Sequence, residues 1–173
     1  MYNYTGYHGT SQAKADKIVE NRFVISTKPN EWLGTGIYFF GSDGEIDGQV
    51  EARCWARHVK QYSRWAVIKA TLRAEKVLDL VCNVAHKKLY DILQRKCYEA
   101  HIRSGKDAAT FSDYMIFNDI DENYDFEIIC AHTEGSKNKF TYNSYVVRRL
   151  QIQICVKNEM CIREKFVCEK GGT

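Results

Sequence analysis

The sequence predicts an α+β fold, a mainly antiparallel β-sheet with flanking helices, built as a single domain over residues 1–173. Three observations predict it. Short runs of β-branched and aromatic residues recur along the chain, and the last third is richest in them. Three or four stretches between these runs return apolar residues at the helical period. One proline (Pro29), no internal repeat and no linker-like segment leave nothing to divide the chain, so both kinds of element share a core.

Tyr4 to His8 opens as a short aromatic strand. Thr10 and Ser11 offer N-caps for a helix to about Asn21, with Ala15, Ile18 and Val19 on one side. Phe23–Ser26 reads as a brief strand, Thr27–Asn30 as a turn, and Gly34-Thr35-Gly36 leads into the apolar strand Ile37–Phe40. A polar, glycine-bearing loop follows to Gly48. From Gln49 to about Tyr62, Val50, Cys54, Trp55, His58 and Val59 fall at helical spacing. Trp65–Leu72 and Val77–Leu80 alternate as strands do. Asn83 can cap a helix to about Arg103, with Leu89, Ile92, Leu93, Cys97 and Ala100 inward, and a second short helix is expected over Phe111–Phe117. Asp125–Cys130, Val146–Lys157 and Cys161–Cys168 are the remaining strands. The Thr133–Tyr145 connection is long and polar, a type that is often functional.

Bulk chemistry excludes several classes. Seven scattered cysteines contain no Cys-x-x-Cys pair, which argues against a zinc site, so no metal is expected. They are expected to be reduced and mostly buried. No run approaches the ~18 apolar residues of a membrane span, and the N-terminus lacks a signal-peptide pattern, so a cytoplasmic protein without membrane contact is expected. A net charge of +3 and a pI of about 8.4 permit nucleic-acid binding without arguing for it.

Three separated segments stand out together: Tyr7-His8-Gly9-Thr10 at a strand end, Leu33-Gly34-Thr35-Gly36-Ile37-Tyr38-Phe39-Phe40, and Leu150-Gln151-Ile152-Gln153-Ile154-Cys155-Val156-Lys157-Asn158. Their order and content resemble the ADP-ribosyltransferase superfamily, in its diphtheria-toxin and poly(ADP-ribose)-polymerase branch, and within it small bacterial toxin-like members. The resemblance covers most of the chain and is densest at these segments. It implies a split, mainly antiparallel sheet and NAD⁺ as co-substrate. It also implies transfer of ADP-ribose to a macromolecule with release of nicotinamide. Cleaving the nicotinamide–ribose bond builds positive charge on the sugar, as glycoside cleavage does. Such chemistry needs groups that orient the ribose, fix the leaving group and stabilise that charge. By resemblance His8 hydrogen-bonds a ribose hydroxyl. Gly9 brings its backbone to the nicotinamide amide, Thr10 adds a hydroxyl or caps the helix, and Gly36 lies beside the cofactor. Tyr38 packs on the nicotinamide ring, and Trp55 is the candidate for the opposite wall.

The family pattern places a glutamate five positions before a turn-forming Asp or Asn. Counted from Asn158 that position holds Gln153, and Gln151, by resemblance a contact to the acceptor, stands two residues earlier. A glutamine can position the ribose but brings no negative charge. The chain uses Gln153 as it stands, or draws a carboxylate from Glu127 or Glu134, or carries a Glu→Gln replacement that silences a toxic enzyme. Read without the family, Gln151 and Gln153 form the polar side of an alternating strand whose other side is Leu150, Ile152, Ile154 and Val156.

By resemblance, the loop before the last of these segments selects the acceptor. Lys137, Lys139, Phe140 and Tyr142 interleave cations with aromatics, which suits RNA or DNA. A protein acceptor stands equally open, as does an antitoxin or inhibitor partner of the kind found in toxin–antitoxin and phage-defence systems. Three alternatives remain at this stage: an NAD glycohydrolase, a catalytically silent NAD- or ADP-ribose-binding module, and an RNA-binding domain without NAD.

Overall fold

A computed structural model describes residues 1–28, 31–134 and 150–172. Seven strands form one mostly antiparallel sheet flanked by helices on both faces. In chain order the elements are β1 (Tyr2–Ser11), α1 (Gln12–Glu20), β2 (Ile37–Gly41), α2 (Gly48–Cys54), β3 (Arg64–Ala74) and β4 (Val77–Asp79). They continue with α3 (Val84–Arg103), α4 (Asp113–Asn123), β5 (Ile128–Glu134), β6 (Leu150–Val156) and β7 (Ile162–Gly172). The spatial order is β4-β5-β6-β2-β1-β3-β7. Among the described residues only β4 and β5 pair in parallel, because the long α3–α4 crossover carries the chain back to the same end of the sheet.

The sheet is continuous, but β1 and β2 are in register only at Tyr7 and Phe40, whereas β1 pairs with β3 from Tyr2 to Ser11. Two strand groups, β4-β5-β6-β2 and β1-β3-β7, therefore meet at a junction with one registered pair, and a cleft lies there.

Strand alternation distributes the core. Ile37, Phe39, Ile68, Leu72, Ile152, Ile154 and Val156 pack on one face with Phe23 and the Ala15 side of α1. On the other face Ile129, Ala131 and Cys155 meet Leu93 of α3 and Ile116, Phe117 and Ile120 of α4. Phe40, Trp65 and Val67 meet Ala52 of α2 and Ala56, just beyond its end. Truncating a fully buried member such as Ile154 to Ala costs about 2–5 kcal/mol.

Several expectations are corrected. Val19 and Ile92 are exposed, and Ala100 faces outward, because α1 and α3 present narrower apolar stripes than their composition suggests. Phe23–Ser26 is not a strand; Ser26 makes one isolated bridge with Gly36, and Phe23 is a core plug. The helix expected from Gln49 starts at Gly48 and changes after Cys54 into a π-helical turn, Trp55–Val59. The helix placed at Phe111–Phe117 runs instead from Asp113 to Asn123. Residues Thr133 and Glu134 extend β5 rather than begin a loop. Leu150 is half exposed, while Gln151 is buried. All seven cysteines are free thiols; Cys130, Cys155 and Cys161 are buried and Cys82 is exposed. Among the described residues no helix is long and apolar enough to cross a membrane.

Candidate active site

Where β1 and β2 part company, a cleft of about 420 Å³ opens. It gathers His8 and Gly9 from β1, Gly36 and Tyr38 at the start of β2, Trp55 after α2, and Gln151 and Gln153 from β6. Residues 145 positions apart thus share one wall system.

His8 is the best-defined polar group. Its Nδ1 lies 2.8 Å from the Tyr38 carbonyl oxygen, across the gap where ladder register has lapsed. A carbonyl can only accept, so Nδ1 carries the hydrogen. Burial lowers the His8 pKa below the ordinary histidine value, the Tyr38 hydrogen bond opposes that shift, and nearby Lys14 adds to it. The ring is therefore neutral near pH 7, with Nε2 as an acceptor. Phe23 and Phe39 hold it edge-on, at centroid distances of 5.3 and 5.9 Å.

Gly9 is required by close approach. A Cβ built there would stand 1.9 Å from the Ala52 carbonyl oxygen, so α2 can lie on β1 only because this residue has no side chain. At the helix start, Asp47 caps through Gln49 N (2.9 Å) and Val50 N (3.3 Å). The π-helical turn then sets Trp55: its carbonyl accepts from Lys60 N at 2.9 Å. Its ring lies 6.3 Å from Phe40, with the Lys60 ammonium 4.9 Å from the indole centroid. Single π turns commonly mark functional positions.

Tyr38 has two separable parts. Its ring lines the cleft, while its hydroxyl donates to Gly34 O at 2.6 Å and accepts from Leu33 N at 3.0 Å. Burial, with Cys155 adjacent, pushes the phenol far above its usual pKa, so it stays protonated. Lys157 clamps the same loop, donating to Leu33 O at 2.6 Å and pairing with Asp121 at 2.7 Å. Asp121 in turn accepts from Thr35 N at 3.2 Å. Gly34 sits at φ 76°, a conformation that favours glycine. The loop so fixed displays Trp32, 48% exposed, at the cleft mouth. Cys155, opposite Tyr38 in the β2–β6 ladder, is pushed up to about 11 by burial and is a neutral thiol rather than a nucleophile.

On β6, Gln153 pairs in register with Phe40 and Ala131, at the middle of the sheet. Among the described residues its amide has no hydrogen-bond partner, so it offers a free donor and acceptor to the cleft. Gln151, called as an acceptor contact, is instead buried and donates through Nε2 to Glu51 Oε2 at 2.5 Å. Sequence reasoning missed Glu51, which is only 5% exposed. Its place in the first turn of a short helix reads as a solvated acid, and only the partner 100 residues away shows otherwise. Trp32, Lys28, Glu31 and Lys60 also line the cleft without having been singled out.

Thr10 is buried against β3 and lines no part of the cleft, and Ser11 is the N-cap, accepting from Lys14 N. Glu127 does not line the cleft. Its carboxylate accepts from Glu75 N (2.7 Å) and Lys76 N (3.1 Å) in the β3–β4 turn, and those bonds hold its pKa low. Glu134, the other carboxylate considered, does line the cleft. Lys137, Lys139, Phe140 and Tyr142 lie outside the described residues. Among the described residues no group of three or more His, Cys, Asp or Glu side chains is placed to hold a metal ion.

An uncharacterized protein of Methanocaldococcus jannaschii is 27% identical to this chain over 186 aligned residues, which cover 92% of this chain and 85% of that protein. No family model matches the chain, and no solved structure matches it significantly.

Proposed function

We propose that the cleft binds NAD⁺ and that the chain transfers ADP-ribose from it to a macromolecular acceptor, releasing nicotinamide. The observation that carries this reading is the neutral His8, held by its Nδ1–H on the Tyr38 carbonyl beside the aromatic rings of Tyr38 and Trp55. A neutral imidazole with an acceptor at Nε2 suits a ribose hydroxyl, and two rings facing one slot suit a flat heteroaromatic group. The volume falls within the range of small-molecule sites, about 300–1,000 Å³.

Bound there, NAD⁺ supplies an electrophilic ribose carbon and a neutral leaving group. The nicotinamide N1–ribose C1′ bond breaks with its electron pair going to nicotinamide. The acceptor's nucleophile forms the new bond to C1′ and loses a proton. The protein's share is positioning and charge. His8 fixes the ribose, the Tyr38 ring holds the leaving group, and the free Gln153 amide reaches a hydroxyl near the reacting carbon. Gln153 brings no charge, so Glu134, on the rim of the same cleft, supplies the negative charge that the sugar requires.

The uncharged Gln153 also favours a second reading, a module that binds NAD⁺ or ADP-ribose without turning it over. Binding and turnover separate the two. Saturating NAD⁺, at about 100 times its Kd, stabilises a folded protein by roughly 2.7 kcal/mol, or about 5–10 °C for a chain of this size. A shift of that order with nicotinamide release supports the transferase. The shift without release supports the module, and its absence overturns both. Chromatography of the products distinguishes transfer from hydrolysis to free ADP-ribose.

A further inference from the structure

A second, larger hollow of about 980 Å³ adjoins the cleft, bounded by α3, α4 and the end of β5. The two share Trp32 and Glu134 as lining residues, so the groove runs into the cleft where an acceptor must enter. Its α3 wall is a stripe of Lys87, Tyr90, Asp91 and Gln94, residues at the one-face spacing of a helix. Asp113 and Tyr114 at the start of α4 form the opposite wall, with Phe117 beneath.

The charge of this lining opposes that of the whole protein. The chain carries a net +3, yet the groove presents Asp91 and Asp113 to its occupant. Its one lysine among the described residues, Lys87, donates its ammonium to the Val81 carbonyl at 2.8 Å. Nucleic-acid binding needs several cations free to meet phosphates, and a polyanion here would face the Asp91, Asp113 and Glu134 carboxylates instead. The aromatic content points the same way. Tyr90 stacks on Phe117 at 5.4 Å with an interplanar angle of 25°, and the Tyr90 hydroxyl donates to Asp113 Oδ1 at 3.2 Å. That bond orients one carboxylate beside a ring face. A planar guanidinium both stacks on such rings and donates to a carboxylate, which a compact ammonium does less well.

We propose that the acceptor is a protein segment bearing arginine, docked in this groove with its guanidinium groups against Asp91, Asp113 and the Trp32 and Tyr90 rings. As a statement about the acceptor it rests on the NAD⁺ reading of the adjoining cleft.

The test measures fluorescence anisotropy of a fluorescein-labelled nonapeptide of alternating glycine and arginine, and of a labelled nine-nucleotide oligouridylate, on the full chain. Asp91→Asn/Asp113→Asn and Asp91→Lys are compared with the unaltered protein, their folding checked by circular dichroism melting. The expected result is peptide binding that weakens at least tenfold in each variant, while the oligouridylate binds more weakly than the peptide. Peptide affinity unchanged in both folded variants overturns the proposal, and so does tighter binding of the RNA. NAD⁺-induced stabilisation is read on the same unaltered sample. If NAD⁺ fails to stabilise it while the peptide depends on the two aspartates, the cleft reading falls and the groove stands as a basic-peptide dock. NAD⁺ stabilisation with aspartate-independent peptide binding removes the groove alone.

Discussion

Replacing Gly9 with alanine tests how the fold makes the cleft. The added Cβ would meet the Ala52 carbonyl oxygen at 1.9 Å, whereas ordinary contact begins near 3.4 Å. Since the obstacle is helix backbone rather than a rotatable side chain, α2 must move off β1 by about 1.5 Å, and overpacking of this kind costs about 1–3 kcal/mol. For a chain of this size that lowers Tm by roughly 2–12 °C. The displacement also carries Trp55 away from Tyr38 and pulls Glu51 off Gln151 of β6, so NAD⁺-induced stabilisation should fall in the same variant. Gly44→Ala is the control, because nothing lies within 4 Å of its Cβ position. Differential scanning calorimetry with and without NAD⁺ reads both effects. A Gly9→Ala protein that melts within 1 °C of the unaltered chain would refute the argument that glycine is what seats α2.

The buried pair predicts non-additivity. Gln151→Leu leaves Glu51 without one hydrogen bond and Glu51→Gln changes the acceptor, each costing about 1–3 kcal/mol in urea unfolding, while the double variant costs less than their sum. For His8 the folded pKa lies below the unfolded one, so the unfolded state binds more protons and stability rises with pH. Its contribution is whole above about pH 6.5 and is lost as pH falls toward the folded value; denaturation at pH 7 and pH 5 should differ less in His8→Gln. Tyr38→Phe removes the hydroxyl bridge to Leu33 and Gly34 at about 1–2 kcal/mol but keeps the ring, so NAD⁺ affinity should survive better than in Tyr38→Ala, measured by isothermal titration. With iodoacetamide near pH 8, Cys82 should alkylate first and Cys130 and Cys155 last by mass spectrometry, since burial raises both thiols.

What the sequence made legible was local chemistry. Asn83 caps α3 through Ala85 N and His86 N, and Ile37–Phe40 is a strand with alternating faces, as their residue types demand. The family resemblance singled out His8, Tyr38 and Gln153, which lie on strands that line one cleft. Long-range pairing was not legible. Nothing local distinguishes Glu51 from a solvated acid or shows that Gln151 will bury against it. The seating of α2 on β1 rests on Gly9 against Ala52, a contact across 43 positions. The parallel β4–β5 pair and the lapse of register between β1 and β2 arise only when the sheet assembles.

The most direct measurement is nicotinamide release from NAD⁺ by the unaltered chain, by Gln153→Glu and by His8→Ala/Tyr38→Ala. The account predicts slow release by the first and a rise of about 10²-fold or more when a carboxylate replaces the Gln153 amide. It predicts none from the double variant. No release from any of the three, together with no NAD⁺-induced thermal shift, would contradict the assignment of this cleft to NAD⁺.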